Sequence, residues 1–180
     1  MDSKGTLYAS CDLSRKLLVI DPKTKTITAA IDTEGTGHWA AVLPDGSKAY
    51  VANKNDRLFV SVIDIKARKM TGKVDMPNGT QGITASPDGK RVLAVDYRES
   101  KFVVIDTATE KIVDTVAVEQ NRTGPFRVKY SPDGSRLVTC DSQAGLRIFS
   151  IPRICTASRQ CSPSAGRRSG SLSVPIRRQR

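Results

Sequence analysis

Apolar and polar residues alternate along most of this chain in short runs broken by clusters of Gly, Pro, Asp and Ser. A period of two is that of a half-buried pleated strand, and no useful stretch shows the 3.6-residue period of an amphipathic helix. One run carries Ala9, Tyr50, Leu93 and Val138 two places before Cys11, Ala52, Val95 and Cys140, with Ser10, Val51, Ala94 and Thr139 between them. A second, β-branched and aromatic, covers 17–20, 59–63, 102–105 and 146–151. In three copies it ends in Ile-Asp, at Asp21, Asp64 and Asp106, and Asp at the start of a turn bonds the backbone two residues on. A third run covers 26–31, 70–74 and 112–118, and a fourth covers 39–43, 82–86 and 127–131. The pattern predicts four-stranded antiparallel meanders, recurring along the chain.

The recurrence is anchored by the tripeptide Pro-Asp-Gly at 44–46, 87–89 and 132–134, with a degenerate copy, Asp-Ser-Lys-Gly, at 2–5. Pro presets φ and Gly supplies a positive φ, so the motif reads as a tight turn. Seven residues after each Gly stand Asp12, Asn53, Asp96 and Asp141. The Gly residues are 41, 43 and 45 apart, the period of propeller blades. The expected fold is all-β: four-stranded antiparallel blades of an incomplete, open β-propeller over 1–151, in units of about 1–36, 37–79, 80–124 and 125–151. A disordered tail over 152–180 is expected to follow. About three and a half blades are countable, whereas closed propellers use about four to eight. Two faces with apolar residues and strand edges are therefore expected to lie open, with self-association through them.

The segments SPDGKRVLAVD at 86–96 and KFVVIDTATEKIVDTV at 101–116, with Lys48-Ala-Tyr-Val-Ala-Asn53, resemble the YVTN family of β-propeller repeats over roughly 2–151. Related propellers include surface-layer proteins, the seven-bladed lactonases, amine dehydrogenase heavy chains and the cytochrome d1 domain of nitrite reductases. The resemblance implies a secreted or periplasmic propeller that binds something at its central channel. The first residues, MDSKGTLYAS, hold neither the basic nor the apolar part of a secretory leader. WD repeats match less well, because the Trp-Asp and Gly-His pairs are absent.

Charge changes the picture only at the C-terminal end. The chain carries +11, but residues 152–180 hold seven Arg, six Ser, three Pro and two Cys with no Lys, Asp or Glu, leaving about +4 for the repeats. Three readings fit that segment: a break in the reading frame where the last blade should finish, a disordered tail too poor in apolar residues to fold, or an Arg-rich nucleic-acid binder. No aromatic residue interleaves its arginines, which counts against nucleic acid. No apolar run is long enough for a membrane span.

Cys11, Cys140, Cys155 and Cys161 match no zinc spacing, and Cys11 and Cys140 read as small core side chains. The recurrence of Asp12, Asn53, Asp96 and Asp141 in every unit assigns them to a shared structural turn rather than to one active site. The single His38 and its equivalents Gln81 and Phe126 stand where innermost strands begin at the channel mouth. With Trp39 and Arg127 they form the candidate ligand-facing ring, against the simpler reading of residues facing solvent or a neighbouring blade. No catalytic set, metal cluster or cofactor fingerprint is present in the sequence. The sequence thus points to a non-catalytic scaffold binding a protein or small molecule through channel-mouth loops. The alternative is part of a propeller enzyme, lactonase-like or a redox subunit, with its active site on other blades.

Overall fold

The structure, a computed structural model, describes residues 1–54, 57–76, 78–96, 98–117, 127–141, 145–150 and 172–173. It contains four antiparallel sheets and, among the described residues, no helix. The first sheet is β1 (Leu7–Cys11), β2 (Lys16–Asp21) and β3 (Thr26–Asp32). The second is β4 (Gly37–Val42), β5 (Lys48–Asn53), β6 (Phe59–Asp64) and β7 (Lys69–Asp75). The third is β8 (Ile83–Ala85), β9 (Arg91–Asp96), β10 (Lys101–Asp106) and β11 (Lys111–Ala117). The fourth is β12 (Arg127–Tyr130), β13 (Arg136–Asp141), β14 (Gly145–Ser150) and β15 (Leu172–Ser173). Each sheet is a simple meander in chain order.

β15 departs from expectation. It comes from the segment read as tail, and Leu172 pairs with Ile148 and Ser173 with Arg147 at the outer edge of β14. An unpaired strand edge offers free N–H and C=O groups to any nearby extended chain. The rest of 152–180 lies outside the described residues.

Three apolar cores lie between successive sheets. Leu17, Val19 and Ile31 of the first sheet meet Ala49, Val51 and Ile63 of the second. Tyr50, Val60 and Val62 meet Val92, Ala94, Val103 and Ile105 of the third. Leu93, Val95, Phe102 and Val104 then meet Val128 and Leu137 of the fourth. β5 and β9 are thus buried on both faces, which is why their sequences read as nearly continuous apolar runs. Cys11 and Cys140 are half-buried rather than in a core, because among the described residues no sheet covers their side of the first and fourth sheets.

The two ends of the stack differ. At the lower end two sets of connections have constant length: 22–25, 65–68 and 107–110 hold four residues each, and 43–47, 86–90 and 131–135 hold five. Lys25, Arg68 and Glu110 repeat one left-handed residue in the four-residue turns, and each following strand carries a bulge at the same place. Gly46, Gly89 and Gly134 take φ of 73°, 70° and 71°. These turns stack: a Cβ on Gly89 would meet Pro44 Cδ at 3.5 Å, and one on Gly134 would meet Pro87 Cδ at 3.4 Å. At the upper end the sheet-to-sheet connections grow, from four residues at 33–36 to seven at 76–82 and nine at 118–126.

The lower turns are held by carboxylates that accept local hydrogen bonds. Asp45 takes the Ser47 amide at 3.0 Å, Asp88 the Ser86 hydroxyl at 2.6 Å, and Asp133 the Ser131 hydroxyl at 2.6 Å. Those bonds hold the pKa of Asp45 and Asp88 below the usual carboxylate value and bring Asp133 to about 2. A depressed folded-state pKa gives stability present above the unfolded value near 3.9 and lost as pH falls through the folded value. Thermal melts are therefore expected to drop between about pH 4 and pH 2, with part of that slope removed by Asp133→Asn. An unchanged slope in the variant would count against these turns as its source.

Candidate functional site

Strand β4 opens the site. Gly37 pairs with Asn53 and Trp39 with Ala52, so His38 is the extra residue of a bulge. Bulges bend a strand and re-aim a side chain, and they often stand beside functional sites. The His38 imidazole places Nδ1 3.4 Å from Asp12 Oδ2 and meets the Trp39 ring edge-on, at 5.8 Å between centroids and 89° between planes. Its backbone carbonyl accepts the Ser10 hydroxyl at 3.2 Å.

Arg127, at the start of β12 two sheets away, reaches across the upper mouth and lays its guanidinium 4.2 Å over the Trp39 ring. A cavity of about 370 Å³ lies beside this pair, lined by Trp39, Ala40, Gly82, Arg127, Lys129 and Thr139 among others. The Thr139 hydroxyl donates to the Arg127 carbonyl at 2.5 Å and fixes the start of β12. The structure therefore brings His38, Trp39 and Arg127 together. Gln81 precedes β8, where its amide donates to the Val95 carbonyl at 3.4 Å, and its neighbour Gly82 rather than Gln81 lines the cavity. Phe126 lies outside the described residues.

Asn53 is fully buried, and its amide donates to the Phe59 carbonyl and the Ser61 hydroxyl, both at 2.9 Å. Asp96, 1% exposed, accepts from the Glu99 amide at 3.1 Å and from Asn78 Nδ2 at 2.9 Å, with Lys101 Nζ 3.8 Å away. Asp141 is described in its backbone, as the end of β13. Asp12 stands apart. Tyr8 pairs with Val19 just as Tyr50 pairs with Val62, so Cys11, not Asp12, occupies the register of Asn53. The first turn closes from Asp2 to Thr6, one residue sooner than Leu43 to Lys48, and this shift frees Asp12 to face His38.

Sequence reasoning missed two features of the mouth. The Asp12–His38 contact depends on the shortened turn, and its only sequence signal is that Leu7-Tyr8-Ala9 matches Ala49-Tyr50-Val51. The Arg127–Trp39 contact spans two sheets and leaves no local signal.

Radially stacked four-stranded meanders around a shared inner mouth define a β-propeller module. The chain belongs to the cytochrome D1 heme domain family, whose model matches residues 12–139. The propeller reading of the repeats thereby stands, with a family match other than YVTN. In structure the chain is similar to Kuenenia stuttgartiensis hydrazine synthase, with TM-score 0.74 and 27% identity over 84% of this chain and 44% of that one. It is also similar to the β-propeller domain of Myceliophteria thermophila Cps50 (Swd1), with TM-score 0.71 over 86% of this chain and 51% of that one. At 16% identity the second likeness shows the fold alone. The chain thus spans about half the length of these two structures. No curated protein sequence matches it.

The family raises the question of a haem. An iron porphyrin needs an axial donor aimed at the metal and a wall against the macrocycle. The only histidine, His38, does not line the cavity beside Trp39, and its Nδ1 faces Asp12. Among the described residues no three His, Cys, Asp or Glu side chains gather where they could hold a metal ion. These residues do not form a haem site by themselves.

Proposed function

We propose that this chain is a non-catalytic binding module whose ligand-facing end is the upper mouth, and that the group received there is flat and anionic. The carrying observation is the Arg127 guanidinium carbon held 4.2 Å from the centre of the Trp39 ring, at the edge of the cavity. A guanidinium carries five N–H donors in a planar fork that matches a carboxylate bidentately, and an aromatic neighbour can hold such a cation in place beside a cavity. Lys129 adds a second cation to the same cavity, and Trp39 supplies an aromatic face. The growth of the upper connections supports the same end, since binding loops vary in length over a fixed scaffold.

Trp39 is the only tryptophan, so its fluorescence reports on this mouth alone. Titration with 2-naphthoate is expected to give saturable quenching, and neutral 2-naphthol much less. Arg127→Ala is expected to weaken naphthoate binding about tenfold or more, from loss of a charge-assisted hydrogen bond of about 1.5–3 kcal/mol. Equal binding of the acid and the alcohol, or an unaffected variant, would overturn the assignment.

A second reading is favoured by the family match and by the likeness to hydrazine synthase: one portion of a redox propeller, with haem ligands on other blades. Haemin titration separates the two. A stoichiometric complex with a shifted Soret band, formed by a polypeptide that carries the remaining blades and not by these four sheets alone, would favour the redox reading over the scaffold.

A further inference from the structure

A further tripeptide of the Pro-Asp-Gly kind stands at the upper end, at 77–79, with Asn78 in place of the acid. Its turn is built alike. The Gly79 amide donates to the Met76 carbonyl at 2.8 Å, as Gly46, Gly89 and Gly134 donate to Leu43, Ser86 and Ser131 at 2.9 Å. Gly79 takes φ of 74°, beside 73°, 70° and 71° in the others. The difference lies in the side chain. Asp45, Asp88 and Asp133 accept the amides of Ser47, Lys90 and Ser135, two residues on. Asn78 instead donates from Nδ2 to Asp96 Oδ2 at 2.9 Å, at the end of β9. Asp96 is 1% exposed and ionised carboxylates only accept, so its neighbour at 78 must be a donor. The same connection ends at Gly82, whose carbonyl accepts the Val95 amide at 2.8 Å and which lines the cavity beside Trp39.

We infer that Asn78 is a site of spontaneous deamidation, gated by this turn. An Asn followed by Gly is open to attack by its own backbone, because the next residue has no side chain to shield Cγ, and this is the only Asn-Gly pair in the chain. The Gly79 nitrogen gives its proton to a solvent base and bonds to Asn78 Cγ. The Cγ–Nδ2 bond breaks, and Nδ2 takes up a proton and leaves as ammonia. Water then adds to one carbonyl of the succinimide ring and opens it to aspartate or isoaspartate. Two contacts restrain the reactants in the closed turn: the Gly79 N–H on Met76 and Nδ2 on Asp96. The reaction therefore proceeds when the 76–82 connection opens. Its product cannot remake the old contact, since a carboxylate at 78 has no proton for Asp96 and repels it. Each event leaves the connection less firmly closed. The Pro-Asp-Gly turns are spared the equivalent ring closure, because an ionised carboxylate is a poor electrophile and local bonds keep Asp45, Asp88 and Asp133 ionised. Asn78-Gly79-Thr80 also fits the glycosylation pattern, but Thr80 is fully buried and Nδ2 is engaged by Asp96, so the folded chain does not offer it.

The test follows solvent oxygen. The full chain is incubated in heavy-oxygen water at mildly alkaline pH, with and without guanidinium chloride, and the peptide containing Asn78 is weighed by mass spectrometry over time. Asn78 is expected to gain one solvent oxygen in buffer, and to gain it several-fold faster in denaturant. Asn78→Asp supplies the product directly and is expected to lower the folded-to-unfolded ratio about tenfold at neutral pH, from loss of a hydrogen bond to a charged group. Adding Asp96→Asn exchanges donor and acceptor across the contact and is expected to restore most of that loss. Absence of label at Asn78 in buffer, or a rate that denaturant leaves unchanged, would overturn the inference. An Asn78→Asp chain as stable as the unsubstituted one, or a loss that Asp96→Asn does not relieve, would overturn it equally.

Discussion

Phe102→Ala is expected to lower the stability of this chain by about 3–5 kcal/mol, the range for removing a buried aromatic ring. Phe102 is 2% exposed and lies between the third and fourth sheets, among Leu93, Val95, Val104, Val128 and Leu137. The loss has two sources: the transfer free energy of the ring and the cavity left between two sheets that cannot close on it. That cavity falls at one joint only, because each core is shared by two neighbouring sheets. Stability in stacked repeats is approximately a sum of unit and nearest-neighbour terms. Urea unfolding with probes on different sheets is therefore expected to show the fourth sheet detaching before the second. Coincident transitions with an unchanged midpoint would contradict both the magnitude and the location.

The second large effect is expected at Asn53. Its Nδ2 donates to the Phe59 carbonyl, and it donates again to the Ser61 hydroxyl, which itself donates to the Thr33 carbonyl at 2.7 Å. The surroundings are therefore acceptors, whereas those of Asp96 one sheet later are donors: the Glu99 amide, Asn78 and Lys101. The chemistry of each pocket explains why one repeat carries Asn and the next Asp. Asn53→Asp places a carboxylate against a carbonyl in a fully buried position and is expected to cost on the order of 3 kcal/mol at neutral pH. Burial raises the pKa of such a carboxyl, so the deficit is expected to shrink as pH falls and the group becomes neutral. A denaturation midpoint within error of the unsubstituted chain at pH 7 would show that the pocket tolerates an acceptor.

Much of the fold was legible because each blade repeats its own punctuation. The Pro-Asp-Gly turns and the Ile-Asp ends of the second strands place β4 to β14 within a residue or two of their observed bounds. Register was less legible in the first unit. Aligning on Gly5 assumes that every turn closes over the same number of residues, and the one-residue shorter closure from Asp2 to Thr6 moves Asp12 out of the series. Of the candidate site, the position of the mouth was readable from where inner strands begin. The contacts within it were not, because Arg127 meets Trp39 only after the sheets have stacked, and the turn of His38 toward Asp12 depends on a bulge.

The resting of Gly89 on Pro44 and of Gly134 on Pro87 bears on how such a chain can be inherited and enlarged. A unit running from one Pro-Asp-Gly turn to the next, 43 residues between Gly46 and Gly89, carries a proline to support its successor and a glycine to settle on its predecessor. Duplicating that unit therefore duplicates both halves of the joint, and the new copy arrives already fitted to its neighbours. Growth by tandem copying needs no compensating change at the lower end, while the upper connections remain free to diverge in length from one copy to the next.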